Sequence, residues 1–279
     1  MSMHDKLLRI AETGAKRFAE DPRVASILLT GSVPLGDVDA ASDVDLILYL
    51  NESFTEAEYD AEVAAAKASG GDLHFGDHEK GFGVWHFIGG RKVDFGFGLK
   101  TQTDEILDAL LVKHDPNPTY QLIARGILNG EALKDDGSLA GWKQRLSDYP
   151  APLAEATIKA CLKFMPAWVM REMGAKRDDP FLVYECALPA SSNLCGILAA
   201  LNRHYHPGKA KRLDKFASQL SIAPMGFAKR LRSVFDLPLL DGVNELETLV
   251  RETLDLVDAH CPQVDTGPCR KRYDMKLAQ

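Results

Sequence analysis

The sequence predicts an α+β chain in two parts: an α/β half with a small mixed sheet, then an all-helical half. Three observations carry this. Val24 to Thr30 and Val44 to Leu50 are apolar runs of strand length, the first so uniformly apolar that it reads as covered on both faces. Phe82 to Ile88 and Lys92 to Phe97 flank Gly89-Gly90, which reads as a tight hairpin turn. After Asp115-Pro116-Asn117-Pro118 no convincing strand pattern remains, only helical segments. That Pro-rich cluster is the linker candidate, giving domains 1–115 and 116–279.

Taken in order, residues 4–20 carry Leu7, Leu8, Ile10, Ala11, Ala15 and Phe18 at helical spacing, and Asp21-Pro22 stops the helix. The strand 24–30 runs into a turn region, 31–42, broken by Pro34 and Gly36, and the strand 44–50 follows. Thr55 to Ser69 reads as a surface helix with acids in its first turn, closed by Gly70-Gly71. A short strand at 73–75 precedes the hairpin, and a helix at 104–113 follows it. The second half reads as helices near 119–130, 138–147, 151–174, 179–205, 210–220, 224–235 and 243–259. Pro166 and Pro189 are expected to kink or divide two of them, and the polar stretch from Pro262 reads as a loosely held tail.

Composition narrows the function classes. With 279 residues, 46% of them hydrophobic, the chain can bury substantial cores. A net charge of -7 and a pI near 5.6 argue against general nucleic-acid binding, which favours a basic excess. Cys161, Cys186, Cys195, Cys261 and Cys269 show no paired spacing and read as reduced packing thiols of a cytoplasmic protein. The N-terminus lacks the apolar stretch of a secretory signal, and no membrane span is expected.

The chemistry concentrates where the first two strands meet. Gly31-Ser32 is separated by ten residues from Asp43-Val44-Asp45-Leu46. Strand side chains alternate faces, so Asp43 and Asp45 point the same way while Val44 and Leu46 point inward. Two carboxylates side by side repel unless a cation lies between them, and an oxygen-preferring divalent ion such as Mg²⁺ suits them. A Gly-Ser turn offers backbone N–H groups and a hydroxyl to an anion. Asp94, flanked by Val93 and Phe95, is a third acid on an otherwise apolar strand.

This Gly-Ser turn, Asp-x-Asp pair and third acid together resemble the nucleotidyltransferase superfamily, the polymerase-beta-like fold, over roughly residues 20–100. The chain departs from many members in carrying Pro34-Leu35-Gly36 where they have an Arg before the loop glycine. The resemblance implies nucleotidyl transfer with two Mg²⁺ ions and an NTP co-substrate. Asp43 and Asp45 would bind the metals, and Asp94 would complete the second metal's shell and help deprotonate the attacking hydroxyl. Gly31 would let the backbone approach the phosphates, and Ser32 would donate to a terminal phosphate oxygen. The acidic balance of the chain favours a small-molecule acceptor, and analogy within the family suggests an aminoglycoside- or lincosamide-like one. Two alternatives stay open: an antitoxin-like nucleotide-binding protein without turnover, and a transferase acting on RNA or protein.

Other residues carry weaker expectations. Asp37 and Asp39 read as solvated loop acids, and His74, His78 and His86 match no tight zinc spacing. Arg91 and Lys92 precede Asp94 and are read either as phosphate contacts or as solvated hairpin charges. The run Asn202-Arg203-His204-Tyr205-His206-Pro207-Gly208-Lys209 resembles a stretch of the antibiotic-type relatives, with Tyr205 stacking on a base or substrate ring and Lys209 or Arg203 on phosphate; a capped helix end is the other reading. Glu185, in Tyr184-Glu185-Cys186-Ala187, is read as a buried acid and a candidate general base.

Overall fold

A computed structural model describes residues 2–208 and 211–276. The chain forms two compact units, Met1–Val112 with Ile123–Asp148, and Lys113–Leu122 with Tyr149–Gln279.

In the first unit, helix α1 (Met3–Ala19) opens with a reciprocal cap. Ser2 Oγ accepts from the Asp5 N–H, and the Asp5 carboxylate accepts from the Ser2 N–H. Strands β1 (Val24–Thr30) and β2 (Val44–Leu50) pair antiparallel. Helix α2 (Glu56–Ala68) then leads to strands β3 (Asp72–Asp77), β4 (Gly81–Ile88) and β5 (Arg91–Leu99). Among the described residues the sheet has six strands in the order β3-β4-β5-β2-β1-β6, where β6 is Glu131–Lys134, with β2 and β5 parallel and the other pairs antiparallel. The mixed sheet expected from the sequence is therefore present.

One face of that sheet is its core. Leu7, Ala11 and Phe18 of α1 pack with Val44, Leu46, Phe95 and Phe97. Phe18 meets the rings of Phe95 and Phe97 edge-on at 5.7 and 5.4 Å. The helix comes close because position 14 is glycine: a Cβ there would stand 3.1 Å from Leu46 Cδ1 and from Phe95 Cζ. Period-two alternation therefore turns Asp45 and Asp94 to the opposite face. Further along that face, Tyr49 meets Trp142 of helix α5 (Ser138–Leu146) at 4.8 Å.

Helix α3 (Lys100–Leu111) starts directly at the end of β5, and helix α4 (Pro118–Asn129) follows. Strand β6 (Glu131–Lys134) then adds to the edge of β1, in a region where only helix was expected. The sheet thus draws residues 123–148 into the first unit, beyond the expected cut at residue 115.

The second unit is helical, as anticipated. It contains α6 (Ala151–Cys161), a π-helical turn Val169–Gly174, a 3₁₀ turn Ala175–Arg177 and α7 (Pro180–Leu201). Helices α8 (Leu213–Ser218), α9 (Phe227–Asp236), α10 (Leu239–His260) and α11 (Gly267–Tyr273) follow. The expected helix 151–174 is divided ahead of Pro166, whereas α7 runs through Pro189 without interruption. The stretch from Pro262 is no loose tail throughout: α11 buries Tyr273 against Phe164. Helix α7 is long and apolar enough to cross a membrane, yet Val183, Ala187, Leu194 and Ile197 to Ala200 are buried within the unit.

Candidate active site

The strand register brings three carboxylates together. Asp45 pairs with Thr30 on one side, in β1, and with Asp94 on the other, in β5. Asp43 lies two residues before Asp45, at the entry to β2, and shares its face. One carboxylate oxygen from each of Asp43, Asp45 and Asp94 lies within 4.8 Å of the others, and all three side chains are half-buried. Hard divalent cations take oxygen ligands at about 2.0–2.6 Å, so oxygens this close can share one ion or bridge two. Among the described residues this is the acid cluster with ligand spacing.

The turn after β1 is shaped around the same carboxylate. Gly31 adopts φ +75°, and a Cβ there would lie 2.1 Å from Asp45 Oδ2. Only glycine fits, because both the left-handed backbone and the close oxygen exclude a side chain. The loop 31–42 is fastened by its own backbone: Asp37 N–H donates to Ser32 O at 3.1 Å, and Gly36 N–H to Val33 O at 3.0 Å. His4 Nε2 lies 2.9 Å from Val33 O. Asp39 is spent on the loop, accepting from the Ala41 N–H at 2.8 Å, while Ser42 Oγ accepts from the Asp39 N–H. Asp37 and Asp39 lie outside the acid cluster, as loop acids should.

Lys92 supplies what the sequence left ambiguous. It stands two residues before Asp94 on β5, so both side chains share a face. Its ammonium hydrogen-bonds the Asp94 carboxylate and lies 3.6 Å from Asp43 Oδ2. Partial burial works against its charge, but Asp94 and Asp43 outweigh this and hold the Lys92 ammonium above its ordinary value. The protein thus carries its own counter-charge against Asp43 and Asp94. The i, i+2 spacing from Asp94 was the available signal for it. Arg91 instead ties the hairpin to the loop, donating to Ala40 O at 2.7 Å.

The remaining candidates fall elsewhere. His86 is buried beside Glu62, at 2.9 Å, which also pairs with Arg17, while His74 is exposed and His78 half-buried beside Tyr59. In the second unit, Tyr205 is 4% exposed and packs on Tyr149 at 4.9 Å. Its ring face is occupied by the core, so the expected stacking on a base is corrected to a packing role. Glu185 is exposed on α7, contrary to the buried acid expected. In a helix of 3.6-residue period its neighbours Cys186 and Ala187 take the inward face. Arg203 is exposed and adopts φ +56°, ending the α7 region in a left-handed turn. Lys209 lies outside the described residues.

Residues 11–97 match the family model of the nucleotidyltransferase domain. Among solved structures, the chain is similar to a nucleotidyltransferase-like protein from Exiguobacterium sibiricum 255-15, at 12% identity and a TM-score of 0.43. The alignment covers 93% of this chain and 77% of that one. No curated protein matches the sequence. With Gly31, Asp43, Asp45 and Asp94 all inside the matched segment, residues 11–97 form a domain of the nucleotidyltransferase superfamily.

Proposed function

We propose that the protein transfers a nucleoside monophosphate from an NTP to a hydroxyl of a small-molecule acceptor and releases pyrophosphate. The observation that carries this reading is the convergence of Asp43, Asp45 and Asp94 beside a glycine turn built around Asp45. Asp43, Asp45 and Asp94 have the donor chemistry to hold two Mg²⁺ ions, which would neutralise triphosphate charge and stabilise the entering and leaving oxygens. The Gly31-Ser32 turn receives the phosphate tail through backbone N–H groups and the Ser32 hydroxyl. Asp94 takes the proton of the acceptor hydroxyl as its oxygen bonds to the α-phosphorus and the α–β phosphate bridge breaks. Lys92, which pairs with Asp94 and Asp43, would release these oxygens to a bound cation and offer its ammonium to the phosphates.

A small acceptor is favoured by the acidic balance of the chain, net charge -7, which suits no polyanionic partner. Five free cysteines, four of them buried, fit a reducing cytoplasm. Pyrophosphate release with each of the four NTPs and a panel of aminoglycosides and lincosamides tests the reading. Asp45→Asn and Asp94→Asn should each lower the rate by at least about a hundredfold while circular dichroism stays that of the native fold. Turnover in both variants at the native rate contradicts it. Nucleotide binding without pyrophosphate release from any acceptor favours the non-catalytic alternative.

A further inference from the structure

A second concentration of unsatisfied polar chemistry lies in the helical unit. Among the described residues, the buried side-chain atoms without a hydrogen-bond partner are Trp168 Nε1, Arg171 Nε, Glu247 Oε1, Thr253 Oγ1 and Tyr273 OH. All but Thr253 belong to residues that line one cavity of about 650 Å³. Native interiors leave few such atoms, because each carries an uncompensated desolvation cost. Four carried by residues that line one cavity, within the volume range of small-molecule sites, point to a ligand that parts these side chains as it enters and completes them.

Their placement has a local cause. Trp168 precedes the π-helical turn Val169–Gly174 and Arg171 sits within it; such turns occur frequently at functional sites. Arg171 Nη2 donates to Glu247 Oε2 at 2.5 Å, and Arg251 Nη2 lies 3.8 Å from the same oxygen. Both guanidinium contacts fall on Oε2, and Oε1 is left buried and unused. Glu247 is 5% exposed and Tyr273 1%. Burial pushes the Glu247 carboxyl above its ordinary value despite the two arginines.

The four atoms define what can bind. Trp168 Nε1 and Arg171 Nε can only donate, Glu247 Oε1 accepts, and the Tyr273 hydroxyl does either. The ligand must therefore accept at one end and donate N–H at the other. Its net charge should be near zero, since Arg171, Arg251 and Lys276 face Glu172, Glu247 and Asp274 around the cavity. We propose that this cavity binds a free α-amino acid, its carboxylate accepting from Trp168 Nε1 and Arg171 Nε and its ammonium donating to Glu247 Oε1. The Tyr273 hydroxyl completes the carboxylate's shell, and the Trp168 and Tyr273 rings bound the space left for the side chain.

The test is thermal denaturation of the full chain with each proteinogenic L-amino acid at millimolar concentration, followed by titration calorimetry of those that stabilise it. At least one should raise the melting temperature in a concentration-dependent way. Tyr273→Phe removes an unpaired hydroxyl, so it should leave the unliganded melting temperature unchanged or higher while weakening binding about tenfold. Glu247→Gln, which removes the negative charge that meets the ammonium, should weaken it further, and Trp168→Phe serves if that variant fails to fold. The proposal is overturned if no amino acid stabilises the protein, or if Tyr273→Phe binds as tightly as the native chain. It is equally overturned if crystals soaked in amino acid show the four atoms bridged by ordered water alone.

Discussion

Gly31 and Asp45 are a single unit of structure, because the backbone of one occupies the space that the carboxylate of the other requires. Replacing Gly31 by Ala imposes a left-handed backbone on a residue with a Cβ, at a cost of about 1–2 kcal/mol. It also drives that Cβ into Asp45 Oδ2. Gly31→Ala is therefore expected to lower the melting temperature by a few degrees and to displace Asp45, with nucleotide affinity falling more than stability. Thermal denaturation and nucleotide titration of the same variant measure both. Lys92→Met removes the built-in counter-charge of Asp43 and Asp94. The pair is partly exposed, so the loss of stability without metal is expected to be modest, about 1 kcal/mol or less. Added Mg²⁺ should then raise the melting temperature of Lys92→Met more than that of the native protein. Equal shifts in both would show that Lys92 does not shield the acids.

At the scale of elements, the site depends on how α1 lies on the sheet. Gly14 lets the helix contact Leu46 and Phe95, each one residue along from a carboxylate on the same strand. Gly14→Val overpacks this contact and is expected to cost about 1–3 kcal/mol, read as a lower urea midpoint. The elements that build the triad were legible in the sequence. Val44 to Leu50 is a regular strand, and the hairpin through Gly89-Gly90 sets Asp94 on a neighbouring one. The parallel register that aligns Asp45 with Asp94 was not legible, since no local pattern encodes pairing between distant strands. Strand β6 escaped notice because Glu131-Ala132-Leu133-Lys134 is short and contains no β-branched or aromatic residue. Tyr205 misled for a different reason. An aromatic at a helix end reads equally as a binding wall or as core, and only Tyr149, 56 residues earlier in the chain, decides between them.

The molecule as a whole should be acid-labile. In the first unit, Asp136 is held well below the ordinary carboxylate range, mainly by Lys100, its partner at 2.6 Å, with help from Ser138. Asp21 is lowered chiefly by Arg23. Asp135 is lowered by the Leu139, Gly137 and Ala140 N–H groups, which outweigh its burial. Carboxyls with depressed folded values contribute stability that is present above their unfolded value, near pH 4, and is lost as pH falls through the folded values. Urea midpoints are expected to hold from pH 7 to about 5 and to fall steeply below pH 4. A midpoint independent of pH from 7 to 3 would remove these contacts from the stability of the fold. The central claim, however, is that the acid cluster is a cation-dependent nucleotide site. Titration calorimetry of a non-hydrolysable NTP analogue, with and without Mg²⁺, into the native chain and Asp45→Asn tests it most directly. The account predicts binding only with Mg²⁺ present, lost in Asp45→Asn. Binding of equal strength without the cation, or in Asp45→Asn, would contradict it.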